Sequence, residues 1–226
     1  MIVHMEEIPA RAEPLHSEVG ASQTVRVDDV AGLATIFEPE VQAVCWLRSE
    51  QPLIIAYVNS ALAAGGLGSG FRQAVELAHR LPKLGLPDFP GCKSLSADIE
   101  FLSTLYADLL RCTTVGLRLE ITDRAMCPRF HVDKTGIRLL CAYRGPGTEW
   151  IDDTRAGRDL LGTDSANEAA RIAPGAEVHQ AQTFDVVLLK GGLWQGNHGR
   201  GVIHRSPQPV VAKAPRLLLA IDAVWD

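Results

Sequence analysis

The chain has 226 residues, 46% of them hydrophobic, and a formal charge of −5, which fits one domain of ordinary to large size with a full core. The acidic balance supplies no basic field, and no Lys/Arg cluster is interleaved with aromatics, so a small molecule or another protein is the expected partner and nucleic acid is not. The first twenty residues lack a basic stretch followed by an apolar one, and no apolar run reaches the roughly 18 residues a membrane span needs, so a soluble cytoplasmic protein without a membrane partner is expected.

In chain order, residues 1–24 are mixed polar with Pro9 and Pro14 and predict an irregular arm, with His4 and His16 exposed. A single domain over 25–226 follows, helical over about 50–112 and a β-sandwich over about 115–226. VQAVCWLRS from Val41 suggests a strand carrying Val41, Ala43, Cys45 and Leu47 on one side. PLIIAYVNSALAAG is apolar enough for a buried helix with Pro52 at its start. GGLGSG at 65–70 lacks the Lys-Ser/Thr ending of a phosphate loop and is read as a connector to a second, amphipathic helix, FRQAVELAHRL. Three prolines and two glycines make 81–95 a loop. Ser96 is the expected N-cap of a helix over about 97–112, with Asp98 and Glu100 in its first turn and Ile99, Leu102, Leu105 and Leu109 as its apolar stripe.

After Thr114 the period changes to two: Val115, Leu117, Leu119 and Ile121 alternate with Gly116, Arg118, Glu120 and Thr122, as in a strand with one buried face. Further strands are expected at 137–143, 184–189, 201–204 and 216–224. Helices first and strands afterwards predict an α+β chain. The polar stretch 151–172 is long enough to be a surface loop or a lid. The five cysteines, at 45, 92, 112, 127 and 141, are odd in number and form no C-x-x-C pair, so reduced thiols are expected, Cys45, Cys112 and Cys141 as core residues.

Chemistry concentrates in CPRFHVDKTGIRLLCAYRGPGTEW, residues 127–150. His131 and Asp133 are two apart, so an extended backbone projects an imidazole and a carboxylate from one face. A second imidazole would complete a His-Asp-His set with open positions, and His204 in GVIHRSP is the candidate. His198 competes from a more turn-like setting, and His179 lies before another strand. Taken alone, H-x-D is a common match; here a strand precedes it, an alternating strand follows it, and a later strand and Gly-rich hairpin lead to His204.

That order of parts resembles the double-stranded β-helix (jelly-roll) oxygenases that use Fe(II) and 2-oxoglutarate. The resemblance implies His131, Asp133 and His204 as metal ligands and Arg216 as partner of the cosubstrate's far carboxylate. Lys213 is the competitor, and Arg205 and Arg138 are weaker ones. A guanidinium's fork suits a carboxylate better than an ammonium does, which favours Arg216. It further implies a dioxygenase acting on an unidentified substrate, with Tyr143 and Trp150 able to line the pocket, although a core role is the commoner one for a buried aromatic. The same motifs also look like a bacterial family of domains of unknown function whose genes sometimes neighbour zinc-homeostasis genes. The alternative is therefore a non-redox zinc protein on the same scaffold, with Cys127 as an added thiolate ligand. Oligomeric state is left open.

Overall fold

The computed structural model describes residues 23–77, 81–123, 127–152, 177–197, 200–207 and 215–225. The chain forms β1 (Gln23–Val27), a 3-10 helix (Ala31–Phe37), β2 (Val41–Trp46), α1 (Pro52–Ala63), β3 (Gly70–Glu76), α2 (Cys92–Leu110), β4 (Thr114–Thr122), β5 (Ile137–Arg144), β6 (Glu149–Ile151), β7 (Val178–Gln180), β8 (Val186–Lys190), β9 (Ile203–Arg205) and β10 (Arg216–Val224). This is an α+β fold with two sheets. The larger has strand order β1-β2-β8-β5-β10-β4-β3 and is antiparallel except for β1 with β2; the smaller has order β7-β6-β9.

From β4 onward the chain shuttles between the sheets. β4, β5, β8 and β10 belong to the large one, and β6, β7 and β9 to the small one. His131, between β4 and β5, joins the small sheet's edge through a bridge to His204. The order is thus large, small, large, small, small, large, small, large, which winds the chain around the space between the sheets.

One face of the large sheet is covered by helices. α2 starts where Gly91 turns the chain with φ +94, a conformation and a space closed to other residues, since a Cβ there would lie 2.3 Å from the Leu53 carbonyl oxygen. From there Leu95, Ile99, Leu102 and Tyr106 recur every three or four residues and are fully buried with Ile54, Tyr57 and Val58 of α1. Each such side chain contributes about 2 kcal/mol of transfer free energy. The sheet meets them with Val115, Leu117 and Leu119 of β4, Leu139, Cys141 and Tyr143 of β5, and Leu217, Leu219 and Ile221 of β10.

The alternate positions of the same strands face the small sheet. Leu140 and Ala142 of β5, Leu218 and Ala220 of β10, and Val187 and Leu189 of β8 form a second cluster with Trp150 and Val202. The outer end of this face is charged: Arg118, Glu120, Arg138 and Asp222 pair among themselves there.

Several expectations hold. Pro52 opens α1, and β4, β5, β8, β9 and β10 lie on or within two residues of the expected strands. β2 starts at Val41 as expected but ends at Trp46, and Val41 packs with the helix-side core while Ala43 and Cys45 pack with the second cluster. Cys45, Cys112 and Cys141 are buried free thiols, and burial pushes Cys45 up to about 12. Others are corrected. FRQAVELAHRL contributes the edge strand β3 rather than an amphipathic helix, because pairing with β4 from Thr114 to Glu120 outweighs the helical spacing of its apolar residues. Helix α2 begins at Cys92, five residues earlier than expected, and Ser96 is no cap, since its hydroxyl donates to the Cys92 carbonyl at 3.0 Å inside the helix. Gln23 and Thr24 belong to β1 and not to an arm. The rest of that arm, the bulk of the 151–172 stretch, His198 and Lys213 lie outside the described residues. Among the described residues, no helix is long and apolar enough to cross a membrane.

Candidate metal centre

His131 and His204 are brought side by side by main-chain pairing. The His131 N–H donates to the His204 carbonyl at 3.0 Å and the His204 N–H to the His131 carbonyl at 2.9 Å, and the two rings lie with centroids 4.5 Å apart. Asp133 comes two residues after His131 and projects to the same side. One ligand atom from each of the three residues lies within 4.8 Å of the others. The Asp133 carboxylate meets His204 Nε2 at 3.1 Å through Oδ2 and His131 Nε2 at 3.6 Å through Oδ1.

The opposite ring nitrogens decide what this arrangement accepts. His131 Nδ1 is 2.9 Å from the Arg129 carbonyl oxygen, and His204 Nδ1 is 3.0 Å from that of Val202. A carbonyl only accepts, so both Nδ1 atoms carry hydrogen. In the neutral imidazoles both Nε2 lone pairs then point at Asp133, an acceptor facing acceptors, which needs a proton or a cation between them. The hydrogen bond to Asp133 raises His131 above the usual histidine range despite burial. Burial alone would raise Asp133, but the hydrogen bonds from His131 and His204 and the charges of His204 and Arg138 hold it well below the usual carboxylate range. The spacing also suits a metal, because cis donors about 2.1 Å from one ion lie about 3 Å apart. The donor set of two imidazoles and one carboxylate, with second hydrogen bonds fixing each ring, fits a divalent transition metal.

Asp133 has one further partner that sequence reading assigned elsewhere. Arg138 Nη1 hydrogen-bonds Oδ2, while Arg138 Nε and Nη2 grip the two oxygens of Asp222 at 2.7 and 2.9 Å. Arg138 is therefore committed to carboxylates of the protein and leaves the competition for the cosubstrate. So does Arg205, whose Nε donates to Glu149 at 2.6 Å. The signal that could have found the Arg138 role is its position five residues after Asp133 at the start of a strand; its partner Asp222, 84 residues further on, is set by the β5–β10 register, which a single strand does not disclose.

Arg216 opens β10 on the same face as Leu218 and Ala220, toward the inter-sheet space. It is buried at 7% exposure, and its guanidinium donates to the Pro146 carbonyl at 2.8 Å and to Thr148 Oγ1 at 3.4 Å. Among the described residues no carboxylate lies within ion-pair distance of it. Burial pushes it down to about 10, so it is still a cation at neutral pH, with neutral acceptors only. The Gly-Pro-Gly corner that supplies those acceptors is held close to the neighbouring segment, since a Cβ on Gly147 would sit 2.5 Å from the Ala181 carbonyl oxygen.

Two expectations about aromatics resolve differently. Tyr143 does not line the inter-sheet space: it is an odd-numbered residue of β5, faces α2, and donates to Asp98 Oδ2 at 2.7 Å. Trp150 does lie between the sheets, fully buried, with Nε1 donating to Thr24 Oγ1 at 2.9 Å. His179 is half-buried beside Trp150 and pairs with Asp152 at 3.0 Å, outside the cluster. Cys127 is exposed and contributes no atom to the cluster; its carbonyl accepts from the Ser206 N–H at 2.9 Å.

A family model described as "Protein of unknown function (DUF1826)" matches residues 27–222. No curated protein sequence matches the chain. Among solved structures, a full-length Neurospora crassa protein in complex with alpha-KG matches at 13% identity and TM-score 0.50, covering 92% of this chain and 86% of that one. A dioxygenase for auxin oxidation from rice matches at 16% identity and TM-score 0.47 over 90% and 83%. A prolyl-4-hydroxylase from Pseudomonas putida matches at 11% and 0.47 over 88% and 100%. At such identities the Neurospora match speaks to fold alone.

Proposed function

The chain belongs to DUF1826, a family described as proteins of unknown function, and from that premise we propose that it is an Fe(II)/2-oxoglutarate-dependent oxygenase on a double-stranded β-helix, acting on a small molecule or a protein side chain. The observation that carries the reading is Arg216: a buried guanidinium with no carboxylate within ion-pair distance among the described residues, facing the inter-sheet space that a His-Asp-His cluster borders. A buried charge needs an opposite charge, and a dicarboxylate with one end at the cluster and the other at Arg216 supplies it. The alternation of strands between two sheets supports the scaffold, and the Neurospora protein, which shares the fold, holds alpha-KG.

In this reading His131, Asp133 and His204 hold the metal from one side through two Nε2 atoms and a carboxylate oxygen, and leave the other side to ligands. Fe(II) bound there would supply dioxygen activation coupled to decarboxylation of the 2-oxo acid. The chain's own work is orientation and exclusion of water. Arg216 offers a planar fork to the far carboxylate, held in place by Pro146 and Thr148. Ala142, Ala220, Leu140, Leu218 and Trp150 form the apolar cluster on the same face of the large sheet and would exclude water there. The zinc alternative uses the same His131, Asp133 and His204, and the thiolate that would have favoured it, Cys127, contributes no atom to the cluster.

The test is anaerobic addition of Fe(II) and 2-oxoglutarate to the purified protein, with the visible metal-to-ligand charge-transfer band as readout. A band is expected, absent in His131→Ala and His204→Ala. Stoichiometric zinc with no band would overturn the oxygenase reading in favour of a metal-binding one.

A further inference from the structure

The Asp222–Arg138–Asp133 chain of hydrogen bonds bears on how the site would coordinate. Of Asp133's two oxygens, Oδ2 is occupied by Arg138 Nη1 and lies 3.1 Å from His204 Nε2, whereas Oδ1 has His131 Nε2 at 3.6 Å. Arg138 in turn cannot swing away. Its Nε and Nη2 are locked on the two Asp222 oxygens, and Asp222 is also held by Arg118 Nη2 at 3.1 Å. The guanidinium thus spans two carboxylates from strand positions that face each other, Arg138 of β5 opposite Asp222 of β10.

We infer that Arg138 is a positioning residue that fixes the orientation of Asp133 toward the two imidazoles. Its bond to Oδ2 takes up one lone pair of the carboxylate and leaves the others for a metal, while its fork to Asp222 ties that orientation to β10. This rests on the His-Asp-His reading above. The alternative for a cation so placed is plain repulsion of the metal, and the two make opposite predictions: a positioning residue loosens metal binding when removed, a repelling one tightens it.

The experiment is Co(II) titration of the metal-free full-length protein, reading the dissociation constant and the visible d–d spectrum for wild type, Arg138→Gln, Arg138→Lys and Asp222→Asn. Loss of a group that orients a metal ligand weakens metal binding about 10- to 100-fold, so Arg138→Gln is expected to weaken Co(II) by at least about 10-fold and to change band position and intensity as Asp133 loses its fixed orientation. Arg138→Lys restores the charge but cannot fork across both carboxylates, so its spectrum is expected to stay with Arg138→Gln. Asp222→Asn, which frees Arg138 without touching any ligand, is expected to shift the same way by a smaller factor, and it carries the test if Arg138→Gln does not fold. Unchanged affinity and spectrum in these variants, or tighter binding, would overturn the inference while leaving the metal site standing. Wild-type protein that binds no Co(II), or binds it equally after His204→Ala, would overturn both.

Discussion

Two buried arginines, one on each side of the large sheet, show what burial alone does not tell. Arg48 lies under α2 with 7% of its side chain exposed, and Asp98 answers it with both carboxylate oxygens. Asp98 is also met by Gln51 at 3.3 Å and Tyr143 at 2.7 Å, so the cluster is closed. Burial would lower Arg48, but the hydrogen bond to Asp98 overcomes it and Arg48 is raised. Arg216 is as deep, faces the inter-sheet space, has neutral acceptors only, and is lowered. The helix-side arginine belongs to the fold. The other has no carboxylate within ion-pair distance among the described residues, which is the contrast the proposed cosubstrate would explain.

Removing Asp98 is the largest test of this contrast. Asp98→Ala strands Arg48 and Tyr143 in the core, so equilibrium unfolding in urea should show a loss of about 3–5 kcal/mol, with 2-oxoglutarate affinity within about 3-fold of wild type. The mirror case is Arg216→Met. Calorimetric titration of the metal-loaded protein should show 2-oxoglutarate weakened by at least about 30-fold, roughly 2 kcal/mol. Stability in urea should stay within about 1 kcal/mol, because no buried ion pair is broken. A variant that loses stability and keeps affinity would place Arg216 with Arg48 and remove the main support for the cosubstrate. The smallest effect is expected for Tyr143→Phe, which deletes one hydrogen bond to Asp98: about 1 kcal/mol of stability and an unchanged calorimetric 2-oxoglutarate titration. A marked change in that titration would return Tyr143 to the pocket.

How much of this was legible follows from parity. The alternation in β4 and the run of β10 announced themselves, and the two-residue spacing of His131 and Asp133 placed them on one side as expected. Tyr143 was misassigned because IRLLCAYR is apolar on both faces: β5 is buried between helices and small sheet, so its pattern does not say which face is which. β6 and β7 are three residues each, too short for any period to register. β3 imitates a helix, and only its pairing along β4 from Gly70 to Glu76 decides the matter. Arg216 was legible as a residue, but its isolation from carboxylates was not, since that depends on what the register leaves out.

The pairing of His131 with His204 joins the outermost segment of the small sheet to β9 by just two main-chain hydrogen bonds in that bridge. A metal held by the same two residues would cross-link them a second time, through their side chains. Binding at the centre is thereby coupled to how often this edge opens, and the exchange of the His131 and His204 amide protons with solvent becomes a clock for occupancy, slow when the second link is in place and faster when it is not.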